Sequence, residues 1–194
     1  MFSRIENNKL DESRSSITIS YLRDVNIIYG NFPYPDVTNN LIIAIKNNLS
    51  KENNNYTNVK GGMTAWNHFN NDPLFKKFLA FMINKHQVSH PGLFQYFLEK
   101  NSLIESWGNE FKPGDSVNYH VHHSYHCVLY LTEGCDLNLP ELNLKITPKP
   151  GDYYIFPPEL LHGFGRYKGK TNRYSLVFNF ISDKGFEFVD RISK

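Results

Sequence analysis

WGNEFKPGDSVNYHVHHSYHCVLYL, Trp107 to Leu131, reads as a strand, a Lys-Pro-Gly-Asp turn, a second strand, a histidine cluster and a third strand. Proline and glycine break the first run, and the apolar residues resume as Cys127-Val128-Leu129-Tyr130-Leu131. Half of the chain's eight histidines, His120, His122, His123 and His126, fall within seven positions. His120 and His122 are one residue apart, a spacing that puts both imidazoles on one face of an extended chain. Neutral imidazole is the commonest protein ligand for a first-row transition metal. A further histidine, His162, follows a Gly151-Asp152 turn, the run Tyr153 to Phe156 and the stop Pro157-Pro158. Two close ligands and one distant one suit an open metal site in a β-barrel. His120, His122 and His162 are therefore the expected metal ligands, with His126 as the less favoured alternative.

The same rhythm extends in both directions. Strands are expected near 103–112, 116–120, 126–132, 135–146, 152–156, 162–167 and 173–181, separated by Gly, Pro, Asn and Asp. Upstream the pattern is mixed. Ser15 to Leu22 alternates as a strand, and Val25 to Tyr29 continues a sheet. Asp36 stands as cap for a helix to about Leu49, with Leu41, Ile42, Ile45 and Leu49 as its buried stripe. Ser50 to Gly62 is an asparagine-rich loop. Asp72-Pro73 is a cap with proline at the first helical position, ahead of Leu74, Phe75, Phe78, Leu79 and Met82. Pro91 to Glu99 fits either a short helix or a strand. The expected architecture is one domain over 1–194, with helices packed on the outside of a β-sandwich or small barrel.

Bulk properties narrow the function. The chain has 194 residues, enough for one sizeable core, and a net charge of +2 with no Lys/Arg block, so nucleic acid is not an expected partner. No apolar run reaches the roughly 18 to 20 residues that span a bilayer. Residues 1–16 are polar and of mixed charge, unlike a signal peptide. Cys127 and Cys135 form neither a metal-binding spacing nor a disulfide framework, so reduced thiols and a cytoplasmic location are expected. Oligomeric state cannot be read.

A third constellation is Arg173-Tyr174-Ser175, opening the run Leu176 to Phe180. Arg173 and Ser175 share a strand face, and an arginine fork beside a hydroxyl suits a carboxylate. Tyr119, Tyr130 and Trp107 are candidates both for a pocket lining and for plain core.

Together, Phe111-Lys-Pro-Gly114 to His120-Val-His122, Gly151-Asp152 to Phe156-Pro157, His162 and Arg173-Tyr-Ser175 resemble the Fe(II)/2-oxoglutarate-dependent dioxygenases. With Phe32-Pro33 and Trp107-x-Asn109, they are most similar to the family's small bacterial and phage members. The resemblance covers about residues 103–181. It implies a double-stranded β-helix, or jelly roll, with 101–185 as its core and 1–100 as a helical or mixed support region. It also implies Fe(II) held by the histidines and 2-oxoglutarate anchored by Arg173 with help from Ser175. The implied reaction is hydroxylation of a small molecule, an amino acid or a peptidyl side chain. The family's usual carboxylate ligand is replaced here by His122, which leaves metal identity open. The cupins offer a rival resemblance. Gly114, His120 and His122 match their first motif, with His126 where a glutamate is expected, and Gly151, Pro157 and His162 match their second. A cupin-type metalloprotein needs no 2-oxoglutarate, and a jelly roll without a metal serves as a binding or structural module.

Overall fold

The structure, a computed structural model, describes residues 16–20, 24–50, 58–94, 103–134 and 136–180. The N-terminal stretch 1–14, most of the asparagine-rich loop, residues 95–99, Cys135 and the chain beyond 180 lie outside the described residues.

Among the described residues twelve strands form two sheets in which every pairing is antiparallel. In chain order they are β1 (Ser16–Ser20), β2 (Asp24–Asn31), β3 (Val59–Lys60), β4 (Gly62–Met63), β5 (Leu103–Phe111) and β6 (Ser116–His120). Then come β7 (Tyr125–Tyr130), β8 (Leu137–Leu139), β9 (Leu144–Ile146), β10 (Asp152–Phe156), β11 (His162–Phe164) and β12 (Arg173–Phe180). The major sheet runs β1-β2-β10-β7-β12-β5-β4 and the minor sheet β3-β6-β11-β8-β9. From β5 onward the chain crosses between sheets at nearly every turn. Only the β8–β9 hairpin stays on one side.

Alternation assigns the faces of the major sheet. Val128 and Tyr130 on β7, Tyr154 and Phe156 on β10, Trp107 on β5 and Val177 on β12 face the minor sheet and pack with Leu137, Leu139 and Ile146. Their neighbours Cys127, Leu129, Ile155, Leu176, Phe178 and Phe180 face the other way. There they meet two helices, α1 (Pro35–Asn47) and α2 (Pro73–His86), through Leu41, Ile45, Phe75, Phe78 and Met82. At the end of α2, His86 Nε2 lies 2.7 Å from the Tyr153 hydroxyl, tying the helix to β10.

The second helix begins as its sequence dictates. Asp72 Oδ1 accepts from the amides of Leu74 at 2.8 Å and Phe75 at 3.0 Å. The first does not. Its cap is Tyr34, with no side-chain hydrogen bond, and Asp36 sits in the first turn. Pro35 explains the shift, since its fixed φ and missing N–H suit the first helical position. Two strand expectations also change. The 135–146 run is broken by a 3-10 turn at Pro140–Leu142, because proline cannot continue the ladder, and the 162–167 run ends at Phe164. Strands β3 and β4 arise at the end of the stretch expected to be loop, as edge strands of the two sheets. Residues 91–94 are helical, which resolves the described part of the ambiguous segment.

Candidate metal centre

The centre lies at one rim of the space between the sheets. Strands β6 and β11 pair His120 directly with His162, and Val117 with Phe164. Three steps along β6 thus oppose two along β11, so β6 carries an extra residue between Val117 and His120. Strict alternation would send His120 to the face opposite Val117. The bulge reverses it, so that Val117 joins the core and His120 turns toward His162, at 4.6 Å between ring centroids. Tyr119 correspondingly points outward and is half exposed, which removes it from the candidate pocket lining.

His122 lies past the end of β6. Its backbone N–H donates to the Pro158 carbonyl at 2.9 Å, so the Pro157-Pro158 stop before His162 also fixes His122. One ring nitrogen from each of His120, His122 and His162 falls within 4.8 Å of the others. A first-row ion bonded at about 2.0–2.1 Å bridges such a gap with a small inward movement of the rings.

The tautomers suit that task. His120 Nδ1 donates to the Asn118 carbonyl at 2.8 Å and His162 Nδ1 to the Leu160 carbonyl at 2.9 Å. A carbonyl only accepts, so each ring carries its proton on Nδ1 and offers Nε2 as a lone pair. Nε2 of His162 and of His122 is buried without a hydrogen-bond partner. A buried polar atom left unpaired is costly unless a ligand completes it. Burial pushes the His162 ring down to about 4 and the His122 ring to about 2, the latter helped by His162, His120 and His123. His120 is lowered by burial too, partly opposed by its bond to Asn118. All three are held neutral, as metal binding requires.

His126 is not one of the three. It sits on β7, in the opposite sheet, with its ring stacked on His122 at 3.8 Å and 15°. His123 is exposed.

Deeper in the same interior, Arg173 starts β12 and is buried. Its guanidinium carbon lies 4.8 Å from the Tyr130 ring, 4.8 Å from Phe164 and 5.5 Å from Phe111. Nε and Nη1 are buried with no hydrogen-bond partner. Phe164 is two residues beyond His162 on β11, about 6.6 Å of strand, so this strand links the arginine to the histidine trio. Ser175 faces inward on the same strand, and its hydroxyl accepts from Asn109 Nδ2 at 3.4 Å. Trp107 Nε1 in turn donates to Asn109 Oδ1 at 3.1 Å. The Ser175 proton therefore stays available for an acceptor beside Arg173. Tyr130 packs on the guanidinium, and Trp107 is core that reaches to 6.2 Å from the His126 ring.

No protein-family model matches this chain, and no curated protein sequence does. Solved structures do. The viral collagen prolyl hydroxylase of Paramecium bursaria Chlorella virus-1, in its 2-oxoglutarate complex, superposes with a TM-score of 0.62 at 16% identity, covering 79% of this chain and 94% of that one. A Pseudomonas putida prolyl-4-hydroxylase gives 0.58 at 17% identity over 80% and 92%. HygX from Streptomyces hygroscopicus, with nickel and 2-oxoglutarate bound, gives 0.55 at 11% identity over 81% and 83%. This chain is a double-stranded β-helix. Identities this low speak to the fold alone, and the jelly roll agrees with the alternating course of β5 to β12.

Some of the site was not visible in the motifs. The rings of Phe111 and Phe164 that enclose Arg173 carry only the signal of inward strand positions. Glu105 and Asn179, which hydrogen-bond to each other at 2.6 Å, are ordinary polar residues until three strands are set in register. Among the described residues, no helix of this jelly roll is long and apolar enough to cross a membrane.

Proposed function

We propose that this chain is an Fe(II)- and 2-oxoglutarate-dependent oxygenase that hydroxylates a peptidyl side chain, an amino acid or another small molecule. One observation carries the reading. A trio of unprotonated imidazoles and a buried arginine with two unpartnered N–H groups line the same interior. A metal alone leaves the arginine unexplained, and a carboxylate alone leaves the histidines unexplained. A ligand with a chelating end and a distant carboxylate accounts for both.

In this reading His120, His122 and His162 hold the metal on one side and leave the other open. Fe(II) with 2-oxoglutarate would supply, when bound, the chemistry by which dioxygen converts C–H to C–OH, one oxygen atom going to the substrate and the other to the succinate formed with CO2 from 2-oxoglutarate. Arg173 receives the far carboxylate through paired charge-assisted hydrogen bonds, and the Ser175 hydroxyl adds a third donor. Phe111, Tyr130 and Phe164 hold the fork flat and exclude water, which strengthens that pairing. Two proteins of this fold, the viral collagen prolyl hydroxylase and HygX, hold 2-oxoglutarate in their structures, which supports the same co-substrate here.

A second reading, a cupin-type metalloprotein that does not use 2-oxoglutarate, is favoured by His122, which gives a ligand trio with no carboxylate. Anaerobic titration with Fe(II) and then 2-oxoglutarate separates the two. A visible charge-transfer band on the second addition is expected for the oxygenase. Iron bound with no band and no 2-oxoglutarate affinity would select the cupin.

A further inference from the structure

Two of the three candidate ligands are oriented by their own hydrogen bonds. His120 is fixed through Nδ1 to Asn118, and His162 through Nδ1 to Leu160. His122 has no such tether, because no hydrogen bond reaches its ring among the described residues. It also lies beyond the last residue of β6, where its backbone is held to Pro158 but that bond does not set the plane of the ring. Its ring is nonetheless enclosed by rings. His126 stacks on it at 3.8 Å and 15°, and His162 lies nearly parallel at 5.1 Å and 17°.

His126 is held where His122 is not. Its Nδ1 donates to Asn179 Oδ1 at 2.8 Å. Asn179 Nδ2 donates to Glu105 Oε1 at 2.6 Å. The three residues are opposite one another in register on β7, β12 and β5, so the row crosses three strands of the major sheet. Phe156 and Trp107 flank the His126 ring at 6.3 Å and 6.2 Å. Keeping His126 and Asn179 polar at a buried place is costly unless all are satisfied. Here two hydrogen bonds join the row and hold one ring plane.

We propose that His126 is the positioning residue for His122, with the Asn179–Glu105 row fixing the His126 ring, and that ring fixing the plane of His122 by stacking. The inference rests on the proposed metal centre. It assigns His122 the outer support that its partners obtain from backbone carbonyls, and it explains how a ligand on an irregular segment keeps its direction. Outer-shell partners of metal-bound histidine are worth about 10- to 100-fold in affinity.

Cobalt(II) alone, without co-substrate, is the probe, read by isothermal titration and by its visible d–d bands. His126→Leu, which removes the flat ring, is expected to weaken Co(II) by about 10-fold or more and to alter the bands. His126→Phe keeps a flat ring and is expected to restore most of the affinity. Asn179→Leu frees the His126 ring and is expected to fall between the two, and it decides the matter if His126→Leu does not fold. Unchanged affinity and bands in the folded variants would overturn the role. So would loss in His126→Phe as complete as in His162→Ala, which would make His126 a ligand itself. A wild-type protein that binds no Co(II) would remove both this inference and the metal centre, whereas wild-type binding that ignores residues 126 and 179 would remove this inference only.

Discussion

Strand β12 shows two faces of one chain. Tyr174, Leu176, Phe178 and Phe180 look toward the helices, and three of them are fully enclosed or nearly so among phenylalanines and leucines. Arg173, Ser175, Val177 and Asn179 look into the jelly roll, and three of those four are buried polar residues. Along β12 the helix side is aromatic and aliphatic, whereas the inner side is mostly polar. Burial of arginine, asparagine and histidine is unfavourable unless each finds a partner. The helix face therefore holds the fold together, and the inner face spends part of that stability on directed polar groups. Changes on one face should be readable separately from changes on the other.

The largest separation is expected at His162. His162→Ala should abolish metal binding, because it removes one of the three convergent Nε2 atoms while the neighbouring His126 ring is held by Asn179, and the metal-free protein should lose less stability than in Phe178→Ala. Metal retained at one equivalent would contradict the ligand set. Phe178→Ala should do the reverse. The ring is fully buried and packs on Phe75 at 5.4 Å, and its removal should cost about 3–5 kcal/mol in urea unfolding. Metal should still bind to whatever fraction remains folded. A Phe178 variant that loses metal while staying folded would show the two faces to be coupled.

A pH titration sharpens the contrast from the helix side. Burial, with Lys85 and His90 adding to it, lowers the His86 ring from 6.5 to about 4. Above pH 6.5 neither the folded nor the unfolded chain protonates this group, and its contribution to stability is complete. Between 6.5 and 4 the unfolded chain takes up a proton that the folded chain refuses, so stability falls with falling pH. The loss attributable to His86 is on the order of 3 kcal/mol. Denaturation of metal-free protein at pH 7 and pH 4.5 should show a steeper loss in the wild type than in His86→Gln. Equal losses would exclude His86 as the cause. The smallest effect is expected at the exposed His123, where Ala should leave both metal affinity and stability nearly unchanged.

Much of this was legible in the sequence, for identifiable reasons. The turn glycines Gly114 and Gly151 adopt φ of +102° and +88°, and turns of that kind bound the expected strands. Strands β6 and β10 fall where the alternation put them. His120, His122 and His162 converge, and their spacing accounts for this only in part. Alternation alone does not aim His120 correctly, and the bulge in β6 appears only once β6 pairs with β11. Likewise, His126 does not reach His122 along one strand. It arrives instead from the opposite sheet, because the chain crosses over between 120 and 125. Arg173 and Ser175 were placed on one face by period two, which survives in an unbroken strand. Its aromatic enclosure depends on β5, β7 and β11 together, and no local pattern encodes that.

The central claim is that the buried arginine and the histidine trio serve one ligand. Isothermal titration of 2-oxoglutarate into metal-loaded wild type and metal-loaded Arg173→Ala tests it directly. Removing one partner of an enclosed charge pair costs on the order of 3 kcal/mol, about a hundredfold in affinity. The account predicts that loss with metal content unchanged, and only partial recovery in Arg173→Lys, since an ammonium cannot reproduce the fork. Equal affinity in wild type and Arg173→Ala, or no binding to either, would contradict it.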